Sequence, residues 1–125
     1  MADLIKFFFE LQHQIKLYHW QTASFAQHTA TDQLYIALLP LIDQFLEIYQ
    51  GKYGKISLPL QASQITVIVQ QLAELNMITY LKKVVSYLNA LSDAQLVKQN
   101  DTDLLNLRDE MVGLINKTIY LFSFK

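Results

Sequence analysis

Apolar residues recur along this chain every three or four positions, the spacing that places them on one face of a helix. The first such stretch runs from about Asp3 to Gln21, and Asp3 is of the residue type that caps a helix. The second stretch runs from Phe25 to about Gln50 and stops at Gly51. The pattern therefore predicts two long helices in the first half of the chain.

The predicted second helix has a capping motif at its start and a proline in its interior. Ser24 and Gln27 have the spacing of a capping box, in which each residue satisfies an amide of the other. Pro40 falls inside the helix, where it removes one hydrogen bond and is expected to bend the rod. The predicted core positions of this helix are Leu34, Leu38, Leu41, Phe45 and Ile48.

Residues 52 to about 70 interrupt the helical pattern. Ile56–Leu60 and Ile65–Val69 are β-branched and partly alternating, so a short hairpin and an extended crossover both fit them. Helical spacing returns from about Gln70 to Leu91, with a ragged continuation toward Lys98. The run Asn100–Asp103 is predicted to cap a last helix, whose core positions are Leu104, Leu107, Met111, Leu114, Ile115 and Tyr120.

Four helices joined by a short, a long and a short connection predict an all-α fold. A second helix of about 26 residues is roughly 39 Å long, and about 18 extended residues are able to return along it. The expected architecture is a four-helix bundle with a long crossover between helices 2 and 3, the ferritin-like arrangement, in which residues 1–125 form a single domain. A simple up-down-up-down bundle with a long loop is the alternative.

The composition indicates that part of the surface is covered by a partner, and it excludes several kinds of chemistry and binding. Hydrophobic residues make up 52% of the chain and charged residues only 17%, which favours surface hidden against a partner. Net charge is −1 without a Lys/Arg block, so strong binding to nucleic acid is not expected. The absence of cysteine excludes disulfides and thiolate chemistry. The run Phe7–Phe9 is too short for a signal peptide or membrane span, and we expect a soluble cytoplasmic protein.

Ligand-type residues interrupt the apolar side of the second helix. His28 and Asp32 are four residues apart, and so are Asp43 and Glu47. At 100° per residue the two pairs fall on one stripe of the helix. No Lys or Arg occurs between positions 16 and 52, so these acidic residues lack local counter-ions, and a metal ion is an efficient partner for them.

The length of the helix keeps the two pairs apart within one chain. His28 and Asp43 are separated by about 22 Å along the axis, far more than a metal–ligand bond of about 2 to 2.6 Å. An antiparallel twofold pairing of second helices would bring the first pair of one chain against the second pair of another. His19 lies just across the short turn and would complete the histidine half. Nitrogen and oxygen ligands without sulfur suit iron, zinc or manganese.

These residues carry a family resemblance. The chain resembles the Dps family, the mini-ferritins, in the order of its motif residues Tyr18-His19-Trp20-Gln21, Phe25, His28, Asp32, Tyr35, Asp43 and Glu47. The resemblance implies an intersubunit iron-oxidising site beside Trp20. It takes His19, His28 and Asp32 from one subunit and Asp43 and Glu47 from its neighbour. The interval from His19 to His28 is shorter than in typical members, and the basic DNA-binding tail of some members is absent.

Two functions follow as hypotheses. The first is a ferroxidase-like homodimer or larger homo-oligomer that oxidises Fe(II) with peroxide or dioxygen, using His19, His28, Asp32, Asp43 and Glu47 as catalytic and metal-binding residues. The second is a non-enzymatic helical dimer, such as a virion-associated component with a vestigial or structural metal site. It is motivated by the low charge content and the apolar end Tyr120–Phe124.

A second resemblance and a second motif bear on these hypotheses. The chain is also similar to compact ferritin-like proteins of phages and large DNA viruses, which would place it in a host cytoplasm or a virion. Glu10 and His13 form a Glu-x-x-His motif, but an intrachain di-iron site needs a second such motif, and no histidine follows His28. We therefore interpret Glu10 and His13 as an exposed pair.

Overall fold

A computed structural model describes residues 2–58, 63–93 and 96–124 of the protein. Its four helices are α1 (Ala2–Gln21), α2 (Phe25–Tyr53), α3 (Glu74–Asn89) and α4 (Thr102–Leu121). No strand occurs in the described ranges. The all-helical, four-helix prediction is confirmed.

The first two helices differ from their predicted limits at the caps. Helix α1 begins at Ala2, so the prediction that Asp3 caps it is wrong, and Asp3 lies instead in the first turn. Helix α2 passes through Gly51 and continues to Tyr53. It ends at Gly54, whose φ of +94° lies in the region open to glycine, and whose N–H donates to the carbonyl of Gln50.

Helix α3 is shorter at both ends than its sequence pattern predicts. It begins at Glu74 rather than Gln70, because the side chain of Gln14 binds both the N–H and the carbonyl of Gln70. It ends at Asn89, and no helix continues to Lys98 in the described residues. No hairpin forms in the described part of the connection from α2 to α3. Pro59 and Leu60, the end of the first β-branched run, lie outside it.

The core lies between the four helices, and α2 and α4 contribute to it most centrally. Helix α2 packs against α1 and α4, and α4 also packs against α3. On α2 three predicted core residues are buried, while Leu41 and Ile48 are only partly buried. Ile42 and Tyr49 are buried although the pattern omitted them, because the face covered by two neighbouring helices is wider than one stripe. The buried side chains of α2 are Gln27, Ala30, Thr31, Leu34, Leu38, Ile42, Phe45 and Tyr49.

Contacts between helix ends place the elements relative to one another. At one end of the bundle, the side chain of Gln27 at the start of α2 donates to the carboxylate of Glu74 at the start of α3. At the other end, Lys52 of α2 pairs with Asp101 at the start of α4, with 3.1 Å between Nζ and Oδ1. No helix in the described residues has the combined length and hydrophobicity that a membrane crossing requires.

Asp101 fastens the end of α2 to the start of α4. Its buried carboxylate accepts hydrogen bonds from the Tyr53 hydroxyl, from the Lys98 backbone N–H at 2.9 Å and from Lys52 Nζ at 3.1 Å. These bonds, that of Tyr53 above all, lower the pKa of Asp101 to about 2. Because they favour the ionised form, they stabilise the fold only while Asp101 is charged.

We predict that Asp101→Asn lowers the melting temperature at neutral pH and that this difference shrinks in acid. The folded-state pKa of about 2 lies below the value of about 3.9 expected for an unfolded chain. The stabilisation is therefore present above about pH 4 and is lost as the pH falls toward about 2. Thermal unfolding of both proteins across this range checks it, with Glu110→Gln as control, since Glu110 is exposed and forms no ion pair among the described residues. A pH-independent difference would contradict the assignment.

Candidate metal centre

A three-residue turn joins α1 to α2 and is held by local hydrogen bonds. The Thr22 N–H donates to the Tyr18 carbonyl at 2.9 Å, and the Ser24 hydroxyl accepts from the Gln27 N–H at 3.2 Å. Half of the predicted capping box is thus present. The Gln27 side chain does not return to Ser24; it accepts from the buried Tyr18 hydroxyl at 2.5 Å. The turn therefore fixes α1 and α2 as an antiparallel pair.

His19 and His28 face each other across this turn and bond reciprocally. Their rings stack with centroids 3.9 Å apart and planes inclined by 16°. Nδ1 of His19 lies 2.7 Å from the carbonyl oxygen of His28, and Nδ1 of His28 lies 2.8 Å from that of His19. A carbonyl oxygen only accepts hydrogen bonds, so each Nδ1 must carry the hydrogen.

This bonding pattern determines which nitrogen of each ring is open to a ligand. A neutral imidazole that is protonated at Nδ1 keeps its lone pair on Nε2. Histidines that bind metals commonly donate their other ring N–H to a carbonyl, which sets the tautomer and the ring orientation. The hydroxyl of buried Thr31, 3.3 Å from His19 Nδ1, adds a further contact. His19 and His28 are therefore oriented as metal-binding histidines are.

The acidic candidates lie farther along α2 on the same side. Asp43 and Glu47 are exposed and Asp32 is partly exposed. Within the described part of the chain, no hydrogen bond or ion pair engages any of the three. No group of three His, Asp or Glu side chains in the described residues is placed to hold a metal ion. One chain thus brings the two histidines together and leaves Asp43 and Glu47 apart from them.

Exposed apolar side chains surround these polar residues. Phe25 is 81% exposed and Ile36 59% exposed, and Leu39 is also exposed. On the adjoining face of α1, Trp20 is 69% exposed. Lys16 Nζ lies 4.7 Å from the ring centre of Tyr35 and 5.8 Å from that of Trp20. The argument from the sequence considered only charges on α2 and therefore missed Lys16 of α1. The ammonium group of Lys16 reaches this face of α2 and lies over the two aromatic rings.

The positioning groups around the histidines were also missed. Two of them are main-chain carbonyls, which a residue pattern does not display. Thr31 is three residues after His28, and its hydroxyl donates to the Gln27 carbonyl at 2.7 Å. A threonine inside a helix is commonly satisfied in this way, so its position alone did not indicate a role.

Comparison with known proteins identifies a family. The sequence model of a family described as a family of unknown function (DUF5856) matches residues 19–122, and the chain belongs to that family. No curated protein and no solved structure matches the chain. The matched range includes all five candidate ligand residues.

We predict that His19 and His28 are both Nδ1–H tautomers in metal-free, weakly alkaline solution. Nitrogen-15 NMR of the imidazoles distinguishes the two tautomers directly. His13 is the internal control, because its exposed ring stacks on Phe9 and forms no hydrogen bond in the described structure. We expect it to show the mixture typical of free histidine. An Nε2–H tautomer at either His19 or His28 would contradict the carbonyl bonding described above.

Proposed function

We propose that this DUF5856 protein is a Dps-like metal-binding protein that binds and oxidises Fe(II) between two antiparallel subunits. The observation that carries the proposal is the reciprocal bonding of His19 and His28, which leaves Nε2 of both rings as the available nitrogen. These histidines and Asp32 supply one half of the site. Asp43 and Glu47 of a second copy supply the other half.

The exposed face of α2 supports a second copy as the source of the missing ligands. The half-sites are separated by about 22 Å along one helix, so antiparallel pairing produces two equivalent sites related by a twofold axis. The same pairing covers the exposed side chains of Phe25, Ile36 and Leu39. Metal binding and burial of apolar surface then favour the same dimer.

The contacts at the helix ends support the ferritin-like topology. Gln27 and Glu74 place the starts of α2 and α3 together, whereas an up-down-up-down bundle would start α3 near the end of α2. The connection between these helices must then return along the bundle, as a long crossover does.

The stacking of the His19 and His28 rings has a consequence for metal binding. The lone pair of an imidazole lies in the ring plane, so two rings stacked 3.9 Å apart and inclined by only 16° direct their Nε2 lone pairs within nearly parallel planes, which do not meet at one nearby point. Binding of one ion by both rings therefore requires one of them to turn out of the stack. His28 is the ring free to do so, since it is exposed while His19 is buried.

Iron is the substrate in this reaction. Two Fe(II) ions lose one electron each, and one hydrogen peroxide takes up both electrons and two protons as its O–O bond breaks, giving two waters. The imidazole nitrogens and the carboxylate oxygens hold the ions on either side of this transfer. Manganese suits the same ligands, and so does zinc, which would bind without redox turnover.

A non-enzymatic structural role, virion-associated or otherwise, is the second candidate. The specific observation in its favour is an apolar groove between α2 and α4, with a volume of about 360 Å³ and Phe25 and Phe124 among its lining residues. Tyr120, beside Phe124, is 63% exposed. A scaffold uses such a surface without metal turnover.

We predict that Asp43→Ala and Glu47→Ala each weaken Fe(II) binding by at least about tenfold, since loss of even an outer-shell group costs that much. Anaerobic Fe(II) titration followed by peroxide measures both binding and Fe(III) absorbance. Glu110→Ala is the matched control, because it removes an exposed carboxylate from α4 instead.

The mass of the protein in solution is measured on the same samples. Wild type should retain iron as a dimer or larger oligomer and produce Fe(III). Variants indistinguishable from wild type, or a wild type without Fe(III) absorbance, would rule out the ferroxidase. An oligomer that binds no Fe(II) in the titration and keeps its mass in chelator would favour the structural role.

A further inference from the structure

Residues 64–70 form neither helix nor strand, and side chains of α1 bind their backbone. Their side chains alternate between exposed at even positions and partly buried at odd positions, which is the period of an extended chain. Glu10 Oε2 accepts the Ile68 N–H at 2.8 Å. Gln14 Oε1 accepts the Gln70 N–H at 3.0 Å, and Gln14 Nε2 donates to the Gln70 carbonyl at 2.8 Å. Glu10 is therefore an anchor for this segment and not half of an exposed pair with His13.

These bonds orient the backbone of the segment. In an extended chain, successive residues direct their N–H and C=O groups to opposite edges. With Ile68 and Gln70 bound to α1, the amides of Ile65, Val67 and Val69 face the other edge. In the described structure no backbone–backbone hydrogen bond involves residues 64–70, and no side chain bonds those three amides. Among the described residues the second edge is therefore unpaired.

The unpaired edge lacks the usual protection. Natural edge strands are guarded by lysine, proline or bulges, which discourage pairing with another strand. No charged residue occurs from position 56 to position 73, and no proline from 63 to 73. Ile68 is 61% exposed. An edge with this composition is suited to pairing.

The sequence of the segment indicates its partner. It reads Gln64-Ile65-Thr66-Val67-Ile68-Val69-Gln70, which is nearly symmetrical about Val67. Antiparallel pairing with a second copy about a twofold axis at Val67 sets Gln64 against Gln70 and Ile65 against Val69. The pairs Ile65–Val69 and Val67–Val67 are then apolar, the two glutamines oppose each other, Thr66 opposes Ile68, and no charges meet.

We propose that residues 64–70 pair with the same segment of a second copy as a two-stranded antiparallel β-ribbon. With the axis at Val67, the hydrogen-bonded pairs are Val67 with Val67 and Ile65 with Val69. These are the residues whose amides face the unpaired edge. The interface uses no metal ligand and does not rest on the proposed iron chemistry.

Cysteine cross-linking tests the register, since the chain contains no cysteine. In Val67→Cys the two Cα atoms of a hydrogen-bonded pair are about 5.5 Å apart, within disulfide range. In Thr66→Cys they are diagonal neighbours about 7 to 8 Å apart, outside that range. Thr66 is more exposed than Val67, so random oxidation would favour the control.

We predict that Val67→Cys forms covalent dimers several-fold faster than Thr66→Cys under mild oxidant. The chelator EDTA is present throughout, so metal bridging makes no contribution. Non-reducing electrophoresis measures the rate. Equal rates, or faster dimerisation of Thr66→Cys, would overturn the ribbon and leave the iron proposal untouched.

Proline substitution provides a second, non-covalent readout. Val67→Pro removes an N–H from the unpaired edge and should lower the solution mass in chelator. Thr66→Pro alters the edge facing α1 and should keep the wild-type mass. Light scattering reports the mass, and circular dichroism confirms that the helices remain. A folded Val67→Pro protein with the wild-type mass would contradict the proposal.

Discussion

An α-helix advances about 1.5 Å per residue and cannot fold back on itself, so the 29 residues of α2 form a rod roughly 43 Å long. This rigidity separates His28 from Asp43 and leaves one chain with two incomplete sets of ligands. It also requires the connection to α3 to be long, because Glu74 lies beside Gln27 at the start of the rod. The separation of the two ligand-type pairs and the length of the connection to α3 both follow from one helix length.

The turn before α2 combines a structural and a chemical role in the same hydrogen bonds. The His19 carbonyl lies in the last turn of α1, where backbone acceptors have no partner within the helix. The His28 ring satisfies it, and His19 returns the bond. A hydroxyl or amide side chain would cap the turn equally well. Two imidazoles differ from those groups in that each keeps an Nε2 lone pair when its Nδ1 donates to a carbonyl.

Apolar periodicity predicted the four helices because each buries one continuous face, and it failed where a side chain overrides the local pattern. Gln70 has apolar neighbours at helical spacing, yet its backbone is bound by Gln14, which is 56 residues away in the chain. Gly51 is of the residue type that commonly ends a helix, but α2 continues through it, and the positive φ occurs at Gly54. For the site, four-residue spacing identified the stripe on α2. The carbonyls that orient His19 and His28 are backbone atoms, invisible to such a pattern.

The low charge content of the chain is reflected in two surfaces of the fold, the exposed face of α2 and residues 64–70. Gln12 lines a surface groove together with Leu39, Pro40 and Asp43 of α2. Gln14, which binds the extended segment, is about 160° away around α1. The two candidate contact surfaces therefore flank α1 on different sides. Isologous contacts about two different axes build an assembly larger than a dimer, whereas contacts sharing one axis reinforce a single dimer. In either arrangement the two proposed contacts would cover Phe25, Ile36 and Ile68, which are exposed in the single chain.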